Sequence, residues 1–143
     1  MSVNAGQRNV KDTSANRQLQ ACEKAMNLCL HTMTICNNKN IFKEEYYDSL
    51  TRDIVECSRN IYTYAWNANN VYVTKANGKY AEREKLQRAA ISECNRMLAL
   101  ANIARRAFHL RFKKFHYWSQ MIIETRRVLT GWRESNAKQY KTE

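Results

Sequence analysis

From Ala15 onward, apolar residues recur every three or four positions: Ala15, Leu19, Cys22, Met26, Cys29, Met33 and Cys36. This spacing lines one face of a helix and predicts that the face is buried. Asp12, Thr13 or Ser14 offers a cap for its start, and Asn37-Asn38-Lys39-Asn40 interrupts it. A second stripe runs Tyr47, Leu50, Ile54, Cys57, Ile61, Tyr64, Ala68 and Val71, stopping near the turn dipeptide Asn77-Gly78. The third holds Tyr80, Gln87, Ile91, Cys94, Leu98 and Ala101, widened by Leu86, Ala90, Met97 and Leu100. The last is Phe115, Trp118, Met121, Ile122, Thr125, Val128, Leu129 and Trp132.

Between the third and fourth stripes, residues 108–114 contain neither glycine nor proline. Length sets the boundary instead: helices of similar span, packed antiparallel, require the third to end near Phe108. A single helix from Tyr80 to Gln139 is the rival arrangement. Short connections between consecutive helices predict an all-α fold, an antiparallel up-down four-helix bundle over residues 13–138. Residues 1–12 and 139–143 have little to bury and are expected to be flexible.

Composition fits this reading. At 143 residues the chain has the length of one domain, and with no proline and three glycines it lacks the turn residues of a β-rich fold. No apolar run approaches the roughly 20 residues that span a bilayer, and Met1–Val10 is too polar for a secretory leader. A cytoplasmic, reducing location is therefore expected, and an odd count of five cysteines agrees with it.

Charge changes the picture. Residues 79–143 hold fifteen Lys and Arg against six Asp and Glu, so this half carries +9 of the total +11. Such asymmetry speaks to partners rather than to fold, and points to a polyanion. Arg105-Arg106, Arg111, Lys113-Lys114 and Arg126-Arg127 are interleaved with Phe108, His109, Phe112, Phe115, His116, Tyr117 and Trp118. Cations neutralise phosphates and aromatic rings stack on unpaired bases. Together with Arg83, Arg133 and Lys138, these seven cations are the candidate nucleic-acid or polymerase-binding residues. Phe115, Trp118 and Trp132 lie on the core stripe and are read as packing.

Other chemistry finds little support. Cys22, Cys29 and Cys36 are seven apart, roughly 10 Å along a helix, too far to share one zinc ion; they read as buried thiols, as do Cys57 and Cys94. His31, His109 and His116 have no partner at metal-ligand spacing. Glu44, Glu45 and Asp48 open a helix, where carboxylates favour the dipole. No nucleophile-and-base pattern or glycine-rich phosphate loop is present, so neither catalysis nor a cofactor is expected. Tyr46, Tyr47, Tyr62, Tyr64, Tyr72 and Trp66 surround the second helix with more apolar surface than one bundle needs, which suggests self-association or a protein partner.

The stretches Tyr117-Trp118-Ser119-Gln120-Met121-Ile122-Ile123-Glu124 and Arg126-Arg127-Val128-Leu129-Thr130-Gly131-Trp132-Arg133-Glu134-Ser135 resemble the last helix of a small four-helix-bundle family. These are the accessory variability determinant proteins of diversity-generating retroelements. Ala68-Asn69-Asn70-Val71-Tyr72-Val73 and residues 83–91 are similar to the same family, and the resemblance covers roughly residues 15–138. It implies a non-catalytic accessory subunit that binds a reverse transcriptase and its template RNA and cDNA, supporting mutagenic retrohoming. It also implies a ring-like homo-pentamer with a basic surface. It gives no individual cation a role. A stand-alone RNA-binding bundle and a structural protein lying on a membrane surface are the alternatives.

Overall fold

The computed structural model describes the backbone of residues 2–141 and the side chains of residues 15–141. It contains four helices and, among the described residues, no strand: α1 Ser2–Cys36, α2 Arg52–Asn70, α3 Tyr80–Phe108 and α4 Phe112–Tyr140. A 3₁₀ turn at Glu44–Tyr46 and a π turn at Tyr47–Thr51 lead into α2. The all-helical class expected from the sequence is present. α1 begins at Ser2, so Asp12, Thr13 and Ser14, expected to cap its start, fall within the helix instead; their side chains, and Met1, Thr142 and Glu143, lie outside the described residues.

Each helix packs against the next, and α4 returns to α1. Contacting residues run in opposite order along every seam. Gln18 bonds Asn69, and Cys22 and Cys29 meet Ala65 and Ser58. Cys57 donates to the Glu93 carbonyl and Arg83 to that of Ala68; Arg126 meets Asn95 and Asn136 meets Gln87; Thr32 meets Trp118 and the Lys24 carbonyl meets Thr125.

Two fully buried tryptophans of α4, Trp118 and Trp132, fill the interior beside Ile122 and Leu129. Their bulk explains which face α1 turns inward. Its buried positions are Ala21, Ala25, Leu28, Thr32 and Cys36, with Cys29 at the edge. The expected stripe was offset by one residue, about 100° of helix rotation. Leu19 is 68% exposed, and Met26 and Met33 lie outside as well. Close packing at a fixed interior volume combines large with small: Leu28 is fully buried between Ala25 and Thr32 on this face, Thr32 meets the Trp118 indole, and Leu19, Met26 and Met33 are left outside. The expected faces of α2, α3 and α4 are largely those observed, with Ala104, Phe108 and Asn136 added to the core.

α2 ends at Asn70, seven residues before Asn77-Gly78. The reason lies in Arg83, which is 6% exposed and enters from α3. Its guanidinium donates to the Ala68 and Val71 carbonyls at the end of α2 and to Asn136 Oδ1 on α4 at 3.3 Å. It also lies 5.8 Å from the Trp132 ring. An arginine that takes the last carbonyls of a helix terminates it. Asn77 orders the loop beyond: its amide oxygen accepts from the backbone N–H of Thr74 and Lys79, and its NH2 donates to the Tyr72 carbonyl.

The α3–α4 boundary falls at Phe108, where helix length places it. His109 takes the left-handed conformation (φ 54°), and Leu110 N–H reaches back to the Arg105 carbonyl at 3.1 Å. This is a Schellman closure with histidine in place of glycine. Two separate helices therefore replace the single-helix arrangement.

Candidate nucleic-acid interface

The turn after α3 gathers five of the ten candidate cations at one end of the molecule. Arg105 and Arg106 lie in the last turn of α3, Arg111 is the N-cap of α4, and Lys113 and Lys114 follow in its first turn. All five are exposed. None forms an ion pair among the described residues, although seven other ion pairs occur there. The sequence explains this: from Asn95 to Ile123 there is no Asp or Glu.

Arg105 and Arg106 suit their place, because cations are favoured at a helix C-terminus. Lys113 and Lys114 do not. They sit at the positive end of α4, where no acidic residue occupies the first turn and no side chain caps it. Each such cation opposes the dipole by about 0.3–1 kcal/mol. An anion bound between the lysines and the open N–H groups of α4 would reverse that penalty.

The aromatic residues of this turn divide between two roles. Phe108 and Trp118 are buried, and Phe115 is half-buried beneath the Arg105 guanidinium, 4.9 Å from its ring. Phe112 and Tyr117 are 65% and 60% exposed, with Phe112 stacked on His116 at 5.5 Å. Exposed flat faces among unpaired cations are what stacking on unpaired bases uses.

The remaining cations form a second, weaker group along α4. Arg126 is half-buried and donates to Asn95 Oδ1 at 2.7 Å. Arg127 makes two bonds to Glu124, at 2.9 and 2.7 Å, and holds that carboxyl below its ordinary value. Arg133 pairs with Glu84 at 3.4 Å. Lys138 is exposed beside a shallow groove between α1 and α4, shared with Arg17 and Gly131. Arg126 lies about 18 Å along the helix from Lys114, beyond the ~8–10 Å reach of exposed charges in physiological salt. The two groups therefore act as separate patches.

Arg83 belongs to neither. Its place in the interior corrects the expectation that it faces a ligand: it is 6% exposed, and all three of its guanidinium nitrogens donate to acceptors at the end of α2 and on α4. Sequence reasoning missed Arg17, whose Nη1 occupies the space that a Cβ on Gly131 would need, 2.6 Å away. Its signal was the only glycine in the interior of α4.

Among the described residues, no three His, Cys, Asp or Glu side chains are placed to hold a metal ion. Cys29, Cys36, Cys57 and Cys94 are buried, as expected, whereas Cys22 is only half-buried. Burial pushes the Cys36, Cys57 and Cys94 thiols up to about 12. No described helix is long and apolar enough to cross a membrane. No protein-family model, curated protein or solved structure matches the chain.

Proposed function

We propose that this chain is a non-catalytic, nucleic-acid-binding accessory protein whose α3–α4 turn engages the phosphate backbone. The observation that carries this reading is the set of five exposed cations at the turn that form no ion pair among the described residues, two of them held against the α4 dipole. A surface retained at a stability penalty is explained by the anion it recognises. The narrower reading is an accessory variability determinant. In that role the protein binds a reverse transcriptase with its template RNA and cDNA and supports mutagenic retrohoming. This rests on the resemblance of residues 117–135 to that family. The opposite order of contacts along each seam supports the antiparallel up-down bundle of the same reading.

Self-association is also part of it. Leu19, Met26, Leu30 and Met33 share one exposed face of α1. On α2, Trp66 is 47% exposed with Tyr62 stacked on it at 6.1 Å. Apolar residues contiguous along a helix favour a protein neighbour, and a homo-pentameric ring supplies one. A monomer by sedimentation at micromolar concentration would rule out the ring.

The test of the narrower reading is co-expression with a reverse transcriptase encoded beside this chain. Retention of the polymerase through purification supports the accessory role. RNA binding without retention supports the stand-alone bundle instead.

A further inference from the structure

A cavity of about 390 Å³ opens beside the cationic turn, between the end of α1, the segment after it and the start of α4. This volume lies at the lower end of small-ligand sites, about 300–1,000 Å³. Its floor is apolar and fixed: Trp118 is fully buried, Phe42 is 3% exposed, and their rings stand 6.3 Å apart at 75°. Tyr117 and His31 form one wall, edge to face at 5.1 Å. Burial holds His31 below the ordinary imidazole value. Lys113, Lys114, Asn38 and Thr34 also line the cavity.

These features select an occupant. The two lysines are the cations placed against the α4 dipole, and they have no ion-pair partner among the described residues. Asn38 uses its amide oxygen to accept the Asn40 N–H at 3.1 Å. Its NH2 donates to no protein acceptor among the described residues. An aliphatic chain would also bury against these walls, but it offers no acceptor to the Asn38 amide and no flat face to stack on Tyr117. A heteroaromatic ring carrying acceptors on its edge, joined to phosphate, uses all three elements.

We infer that this cavity takes one unpaired nucleobase of a single strand, stacked against Tyr117 with its flanking phosphates on Lys113 and Lys114. The inference rests on the proposed nucleic-acid binding and narrows it. Bases inside a duplex are stacked on one another and cannot enter, so the turn distinguishes single strands from duplex.

The test compares a fluorescein-labelled oligothymidylate with an abasic sugar–phosphate strand of equal length and charge. Each is titrated into the full chain and into Tyr117→Ala and Tyr117→Phe at low salt. Tyr117 is largely exposed, so neither change touches the core, and helical circular dichroism checks that both variants fold. Tyr117→Ala is expected to weaken oligothymidylate binding about 5- to 150-fold, the loss of one base–aromatic stack. Abasic binding should stay unchanged, and Tyr117→Phe should retain wild-type affinity for both strands. Equal losses on the two strands, or none, overturn the base pocket while leaving the phosphate surface standing. Wild-type protein that binds neither strand overturns both. A fluorescent fatty acid that binds tightly and resists displacement by oligothymidylate assigns the cavity to an aliphatic chain and overturns the inference.

Discussion

The indole N–H of Trp118 on α4 donates to the hydroxyl of Thr32 on α1 at 3.1 Å, with both side chains fully buried. One hydrogen bond thus joins the first helix to the last and sets the rotation of α1. Thr32→Val keeps the shape and removes the acceptor, leaving a buried donor unsatisfied. We expect a loss of about 1–3 kcal/mol, read as a lower denaturant midpoint at unchanged slope. An unchanged midpoint would show that the indole does not depend on Thr32.

Arg83 gives a second expectation, opposite to what its charge suggests. Arg83→Ala removes the donors that close α2 and leaves Asn136 partly unpaired. Stability should fall by about 3 kcal/mol, in the range for removing hydrogen bonds to a buried charge. Affinity for RNA, measured at a temperature where the variant is folded, should not change. Weaker binding by a fully folded variant would return Arg83 to the interface.

Lys113→Glu separates binding from folding, because the two effects have opposite signs. A carboxylate in the first turn of α4 favours the helix dipole, so stability should rise by about 0.3–1 kcal/mol in thermal unfolding. Nucleic-acid affinity should fall at the same time. A variant that loses both stability and binding would mean that Lys113 serves the fold instead.

The thiols predict an alkaline limit. Cys36, Cys57 and Cys94 titrate at about 12 when folded against an ordinary 9.0. Their folded values are raised, so their contribution is fully present below pH 9 and is lost as pH rises toward 12. In that window the unfolded chain has released protons that the folded chain still holds, so stability falls as pH increases. Each thiol contributes about 1.4 kcal/mol per pH unit there. Denaturation from pH 8 to 11 measures the slope, and Cys94→Ala should reduce it by one thiol's share.

Much of this architecture was legible in periodicity. Trp118, Ile122, Thr125, Leu129 and Trp132 are spaced by helical turns, and the core takes them as read. α1 was misread because apolarity was taken as burial. Leu19 and Met26 are more apolar than Ala21, Ala25 or Thr32, yet the latter three are the buried ones; Thr32 is placed by its bond to Trp118 of α4, and no pattern within α1 records what lies across from it. The end of α2 was missed for the same reason, since Arg83 stops it from another helix. At the interface, the absence of any carboxylate from Asn95 to Ile123 was visible in the sequence. The Arg127–Glu124 pair, three residues apart on one helix, was readable from spacing as well. What was not visible is the tertiary contact that sets Arg133 of α4 against Glu84 of α3.

The most direct test of the phosphate-binding surface is the salt dependence of single-stranded RNA affinity. Wild-type protein should be compared with a variant in which Arg105, Arg106, Arg111, Lys113 and Lys114 are all changed to Gln. Each phosphate contact on a single strand contributes about −0.7 to the slope of log affinity against log salt. The wild-type slope should therefore approach about −3.5 if all five cations engage, and the variant should be nearly flat and much weaker. Equal slopes for the two proteins, or no wild-type binding at low salt, would contradict the account.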